Sequence, residues 1–291
     1  MRKLIVSSLC LLFCLAVSTS CFANQNIVPK KVANAPVIDG RGTDSVWAKA
    51  KEYTIHDNVA KVDITLKAVY TDKEIFFLVS YPDPDKSDTH KTWEWNKTME
   101  MYKQGPDRED MFVFKWNMEP KHVDLSLTAD NDYMADVWFW KACRTDPAGY
   151  ADDKFQQFSS NELPKSTKLT SRSGKTMHLV RKGDSGKSAY KDTLYAEYKG
   201  DRMPTYDTRT PEGSRADIRA KGVWSGGRWT IEFSRALNTG NEDDIQFDMS
   251  KKYLFGVSRY EIAGRKPDTR VSQPLYGSGD ISETLTLEFW K

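Results

Sequence analysis

The sequence predicts a mostly β fold, an antiparallel β-sandwich with long loop insertions, on three observations. Apolar and polar residues alternate with period two in Asp63–Tyr70, Trp229–Ser234 and Thr284–Phe289, the pattern of strands with one buried face. Turn residues punctuate these runs: Thr71-Asp72-Lys73 follows the first, and Ser225-Gly-Gly-Arg228 precedes the second as a hairpin turn. Beyond the N-terminal leader, no segment keeps a 3.6-residue apolar period over three turns, so helices have no amphipathic stripe to pack on.

Taken in order, the chain opens like an export signal. Arg2 and Lys3 precede the apolar run Leu4–Val17, and Cys21-Phe22-Ala23 supplies a small-x-small cleavage site. Residues 1–23 are therefore expected to be a signal peptide, and 24–291 a single periplasmic domain. A lipoprotein processed at Cys21 ranks second, because Ser18-Thr19-Ser20 lacks the leucine that processing uses. The apolar run is too short to span a membrane and no later run is longer, so no membrane span is expected. Loss of the leader takes the formal net charge from +2 to zero, which leaves no electrostatic footprint for nucleic acid. Cys143 is then the sole cysteine. That excludes an intramolecular disulfide and a CxxCH haem attachment, and a lone cysteine inside an aromatic strand reads as core packing.

Pro36-Val-Ile-Asp-Gly40 leads into a short segment that buries Trp47. Asp63–Tyr70 and Glu74–Tyr81 form a hairpin ended by Pro82 and Pro84. Residues 82–110 are polar but carry Trp93, Trp95, Met99 and Met101, a segment packed over something. Met111–Trp116 is a strand. Asp132–Asp153 then sets Met134, Trp138, Trp140, Lys141 and Cys143 close together before a Pro-Ala-Gly turn; a core strand running into a surface loop is the plain reading. Residues 151–216 read as a long polar insert, functional or mobile, with His178 on a short strand. Ala216–Trp224 and Tyr253–Tyr260 complete the strands. The paired carboxylates Asp152-Asp153 and Asp243-Asp244 read as solvated loop residues. The four histidines show no metal-ligand spacing, and no P-loop, dinucleotide fingerprint, nucleophile elbow or HExxH motif occurs. A non-enzymatic protein is the expectation.

Several pieces, in this order, carry a resemblance. They are Pro36–Gly40 with Trp47; Asp107-Arg108 before the strand ending in Trp116; Asp136–Ala142 with Arg144, Pro147, Gly149 and Asp152-Asp153; and Gly213–Trp224. Thr230–Arg235, Thr239-Gly240, Asp243–Phe247 and Phe255–Val257 follow. Together they resemble the haem-binding domain of the ethylbenzene dehydrogenase-related family, itself related to the sandwiches called DOMON and family 9 carbohydrate-binding modules.

The resemblance implies non-covalent haem b and electron transfer to a redox partner protein, a molybdoenzyme or a cytochrome. Its iron ligands would be a methionine before the W-x-W-K stretch, matched by Met134, and a lysine after Phe255–Tyr260, whose nearest counterpart is Lys266. Trp138 and Trp140 would wall the pocket and residues 151–216 would cover it. Lys141 and Met203 are reserve contacts or ligands, as are Met118 and Lys221. A thioether favours ferrous iron, a lysine ligates once deprotonated, and six-coordinate iron is suited to electron transfer. The chain lacks the histidine and covalent-haem motif of other relatives. The alternative is therefore a haem-free carbohydrate-binding or structural module of the same fold, in which exposed tryptophans such as Trp93 and Trp95 would meet sugar rings.

Overall fold

Alternating aromatic residues dictate which way each strand faces. The protein is described by a computed structural model over residues 25–57, 62–260 and 284–289. The first strands are β1 (Gln25–Ile27), β2 (Lys30–Lys31), β3 (Tyr53–Asp57), β4 (Val62–Tyr70) and β5 (Glu74–Pro82). Then come β6 (Trp93–Asn96), β7 (Met101–Gln104), β8 (Met111–Asn117), β9 (Tyr133–Lys141), β10 (Asp152–Ser159), β11 (Thr167–Thr170) and β12 (Thr176–Gly183). The last are β13 (Tyr190–Asp192), β14 (Arg202–Met203), β15 (Tyr206–Thr208), β16 (Arg219–Trp224), β17 (Arg228–Ala236), β18 (Lys252–Tyr260) and β19 (Leu285–Glu288). Only single 3-10 turns interrupt them among the described residues.

Two sheets face each other. The larger has the order β1-β19-β18-β8-β9-β10-β12-β11, and the smaller runs β16-β17-β5-β4-β2 with β3 also paired to β4. Pairing is antiparallel except for β1 with β19 and β2 with β4. The fold is thus the expected sandwich. Residues 152–183, expected within a polar insert, instead form three strands of the larger sheet. The segments 82–110 and 184–216 are the true excursions, and they build the small sheets β14-β6-β7 and β13-β15.

Period-two alternation sends Phe112, Phe114, Trp116, Trp138 and Trp140 inward from the larger sheet, against Phe77, Trp229, Ile231 and Phe233 from the smaller. The rings interlock: Trp116 stacks on Phe255 at 4.3 Å and on Phe114 at 6.0 Å, and Trp140 meets Trp229 edge-on at 4.9 Å. The outward residues of the larger sheet, Val113, Tyr133, Val137 and Leu179, pack under Val123, Leu125 and Leu127 of the 118–132 segment. Lys115 faces the same way, fully buried, and donates to Leu125 O and the Tyr133 hydroxyl, each at 2.6 Å.

The two motif ends of the chain are locked to the smaller sheet. Glu232 on β17 accepts from the backbone of Asp39 and Gly40 and from Trp47 Nε1 (3.0, 2.7 and 2.8 Å), so the Ile-Asp-Gly turn is held by one buried carboxylate. Gly222 lies beneath Trp140, where an added Cβ would sit 2.5 Å from the indole. Asp146 Oδ1 accepts from both the Trp140 indole (2.9 Å) and the Gly222 amide (2.6 Å). Gly222→Ala should therefore lower the urea midpoint by an amount equivalent to about 1–3 kcal/mol, the usual cost of overpacking; an unchanged midpoint would show that the indole is free to move.

Candidate functional site

β9 carries most of the residues singled out by sequence, and its alternation sorts them. Met134, Asp136, Trp138 and Trp140 face inward; Tyr133, Val137 and Lys141 face outward. Met134 and Lys141 stand seven residues apart, roughly 23 Å along an extended strand, so they mark opposite ends of the sandwich.

At the Met134 end the side chain is 38% exposed, whereas Trp138 and Trp140 are fully buried in the closed aromatic core. Met134 donates its amide to Glu119 Oε1 (3.1 Å), and its carbonyl accepts from the Met118 amide (3.0 Å). Two thioether residues therefore sit on neighbouring strand ends. Met118, but not Met134, lines a cavity of about 580 Å³ bounded by Asn117–His122, Asp244–Gln246, Lys251–Leu254 and Thr286. Lys121, Lys251 and Lys252 bring positive charge to its rim, and Tyr253 and Leu254 bring apolar surface.

The Lys141 end is closed by charge pairing. Asp152, buried on the outer face, accepts from Lys141 Nζ at 2.5 Å and from Arg215 at 2.6 and 2.9 Å. Burial pushes Lys141 down to about 8 even against the pull of Asp152, and the ammonium lies over the Phe139 ring at 4.7 Å. Arg144 pairs with the buried Glu109 and stacks on Tyr190 and Tyr206 at 5.5 and 5.4 Å. Burial, then Arg144, holds the His90 imidazole down at about 3, and so neutral. Burial, then Glu109, pushes the Cys143 thiol up to about 12, far from the thiolate a nucleophile needs. Lys221 donates to Asp146 Oδ2 at 2.7 Å.

Met203, on β14 opposite Trp93, belongs to the small sheet at this same end, since Thr205 and Asp107 bond the backbone of Lys91 and Ser87 bonds Asp110. Lys266 lies outside the described residues, as does the leader. Tyr260, the last described residue before Lys266, pairs with Met111, which in turn pairs with Lys141. The structure thus sets Met134 at one end and Lys141 and Met203 at the other, with Trp138 and Trp140 between them, and it does not gather the five around one point.

The paired carboxylates are a correction. Read from sequence as solvated loop residues, Asp152, Asp153 and Asp244 are 1%, 0% and 4% exposed. Adjacent residues of a strand point to opposite faces, so Asp152 meets Lys141 and Arg215 outside while Asp153 turns inward beside Asp136. Only the run Asp152–Ser159 being a strand would have revealed this, and its mixed pattern hides the strand.

Residues 36–270 match the family described as ethylbenzene dehydrogenase. The chain belongs to that family. Among solved structures it is similar to a family 9 carbohydrate-binding module from Caldicellulosiruptor kristjanssonii in complex with glucose, at 11% identity over 92% of this chain and 97% of that one, with a TM-score of 0.38. It is also similar to a protein from Bacteroides uniformis ATCC 8492 named as carbohydrate-binding, at 9% identity over 91% and 100%, with a TM-score of 0.42. At these scores nothing of those proteins' ligands transfers to this family member. No curated protein sequence matches it. Among the described residues no helix is long and apolar enough to cross a membrane.

One further buried acid gives a pH signature. Asp110 accepts from Ser87 N (2.7 Å) and Trp229 Nε1 (3.0 Å) with one oxygen, and its other oxygen has no partner. Burial, reinforced by the charge of Asp83, raises it to about 7. A carboxyl raised in the folded state costs nothing below its unfolded value, near 4, and destabilises progressively as pH climbs through 7. Asp110→Asn keeps the acceptor and removes the charge, so its stability advantage over the parent should grow between pH 5 and 8 to a few kcal/mol on the order-of-magnitude scale of linkage. Parallel urea-unfolding profiles at the two pH values would contradict the assignment.

Proposed function

We propose that this chain is a periplasmic haem b-binding electron-transfer domain, with the haem at the Met134 end of the sandwich. The observation that carries the reading is an opening of about 580 Å³ lined by Met118, whose amide bonds the carbonyl of the exposed Met134 on the neighbouring strand end. Apolar exposure of this kind has no return in stability, whereas a soft neutral sulfur is a suitable ligand for ferrous iron.

The donor set fits a haem at that opening and nowhere deeper. The inter-sheet core is closed by rings in contact, so Trp138 and Trp140 would support the pocket floor through packing, not touch the macrocycle. Lys121, Lys251 and Lys252 at the rim suit the two propionate carboxylates. Met134, with Met118 as its neighbour, would hold the iron, and Lys266 is the expected second ligand. Bound haem would supply one-electron chemistry, so the work of this chain is to bind, orient and shield the group. Membership of the ethylbenzene dehydrogenase family supports this reading, and a redox partner protein docking over the opening completes it.

The test is an absorption spectrum of the protein exported to the periplasm with haem supplied, before and after dithionite. A sharpened α-band on reduction, with haem extractable into acidic organic solvent, is expected. Met134→Ala should abolish or shift that band, and Met203→Ala, at the far end, should leave it unchanged. A band lost only in Met203→Ala would move the site to the other end. A featureless spectrum, with haem titration also failing, would leave a haem-free module of the same fold.

A further inference from the structure

Asp136, Asp153 and Asp244 converge from three elements. Asp136 and Asp153 are diagonal neighbours on the inner face of β9 and β10, where Asp153 pairs with Trp138 and Asp136 with Phe155. Asp244 arrives from the segment after β17. One carboxylate oxygen of each lies within 4.8 Å of those of the other two. All three side chains are at least nine-tenths buried, and each keeps one oxygen with no hydrogen-bond partner.

A second observation points to what is missing. Asp184, 5% exposed, has no N–H or O–H donor on either carboxyl oxygen; its side chain lies against that of Asp153, and its amide rests on Asp153 O at 3.3 Å. The cation hydrogen-bonded to this group is Arg235, whose Nη1 reaches Asp136 Oδ2 at 2.5 Å. Four buried carboxyls against one guanidinium leave excess negative charge where uncompensated charge is most costly.

We propose that Asp136, Asp153 and Asp244, with Asp184 alongside, form a binding site for one divalent cation of the calcium type. The donors are all hard oxygens, without nitrogen or sulfur, which suits Ca²⁺ over Zn²⁺ or copper. Oxygens within 4.8 Å of one another can all reach a single ion at the calcium distance of about 2.4 Å. Arg235 already occupies Asp136 Oδ2, which leaves the other oxygen for the ion. A cleft of about 250 Å³ lined by Phe155, Lys182, Gly183, Asp184, Ser185, Glu242 and Asp243 opens at Asp184, on the edge of the cluster.

Burial, then mutual repulsion, also raises Asp136 to about 6, Asp184 to about 8 and Asp153 well above the usual carboxylate range, so shared protons are the competing way to relieve the charge. The two are told apart with the mature protein alone, and no haem is needed. Metal analysis of protein purified without chelator should find about one calcium per chain. After chelator treatment, the melting temperature should fall and recover by several degrees on adding Ca²⁺, saturating at one equivalent by calorimetry. Asp153→Asn should melt no lower than the chelated parent and should not respond to Ca²⁺; if that variant fails to fold, the metal content and Ca²⁺ response of the parent still decide. A parent protein without calcium, whose melting temperature and heat are unmoved by millimolar Ca²⁺, would overturn the proposal in favour of protons, as would an Asp153→Asn protein that keeps the full response.

Discussion

The sandwich depends on one ion pair that crosses it. Arg235, on β17 of the smaller sheet, reaches through the aromatic layer to Asp136 on β9 of the larger one, and both are fully buried. The guanidinium lies 5.1 Å from the Trp138 ring and 5.3 Å from Phe247, so its apolar faces are packed while its edge donates. It also donates to Ile245 O, and Ile245 N donates to Asp136 Oδ2 at 3.0 Å. A buried pair of this kind adds little net stability over apolar packing, but breaking it strands a charge in the core at a cost of about 3–5 kcal/mol. What it contributes is position: it pins the 239–247 segment against both sheets. Thr239 and Gln246 close that segment on itself, Thr239 N donating to Gln246 Oε1 at 2.9 Å.

Position matters because strand parity alone does not place loops. Every inward residue of β4, β5, β8 and β17 follows from alternation, and these strands were legible in Asp63–Tyr70, Glu74–Tyr81, Met111–Trp116 and Trp229–Ser234. The aromatic residues among them left one arrangement in which a closed core forms. β10 was not legible. Its residues Asp152-Asp153-Lys154-Phe155 place charge on both faces, because each face offers a cation: Lys141 and Arg215 pair with Asp152 on one side, and Arg235 lies near the Asp153 acid cluster on the other. Charged neighbours in sequence imply solvent only when no partner waits in space, and the partners here lie 11 to 82 residues away in the chain. Lys141 misleads for the same reason. Beside two tryptophans it suggests a pocket, yet a side chain on an odd position of β9 points out of the core and into Asp152.

The two ends of the sandwich are built differently. At the Lys141 end, the excursions 82–110 and 184–216 lie over the strand ends and lock them with Glu109–Arg144, Lys141–Asp152 and Arg259–Asp83. His90 and Cys143 are held neutral within this lock, so groups that suggest chemistry by type are committed to packing by environment. At the Met134 end the 117–122 and 244–246 segments, the start of β18 and Thr286 frame the opening. The chain places its long insertions on one side of the sandwich, so one end is locked and the other stays open.

The cation cluster and the opening share a wall. Asp244, Ile245 and Gln246 line the 580 Å³ cavity, and the same three residues are tied inward: Asp244 to the acid cluster, Ile245 to Arg235 and Asp136, Gln246 to Thr239. Repulsion among Asp136, Asp153, Asp184 and Asp244 bears on the segment that forms this wall. A divalent ion among them would reverse that force and draw Asp244 in, since attraction at ion-contact distance exceeds repulsion between carboxylates held further apart. Charge in the core then bears on the shape of the opening from behind, through Asp244. That ordering also limits what any reading of β9 alone could reveal, because Asp136 acts through partners on β10 and on the segment after β17.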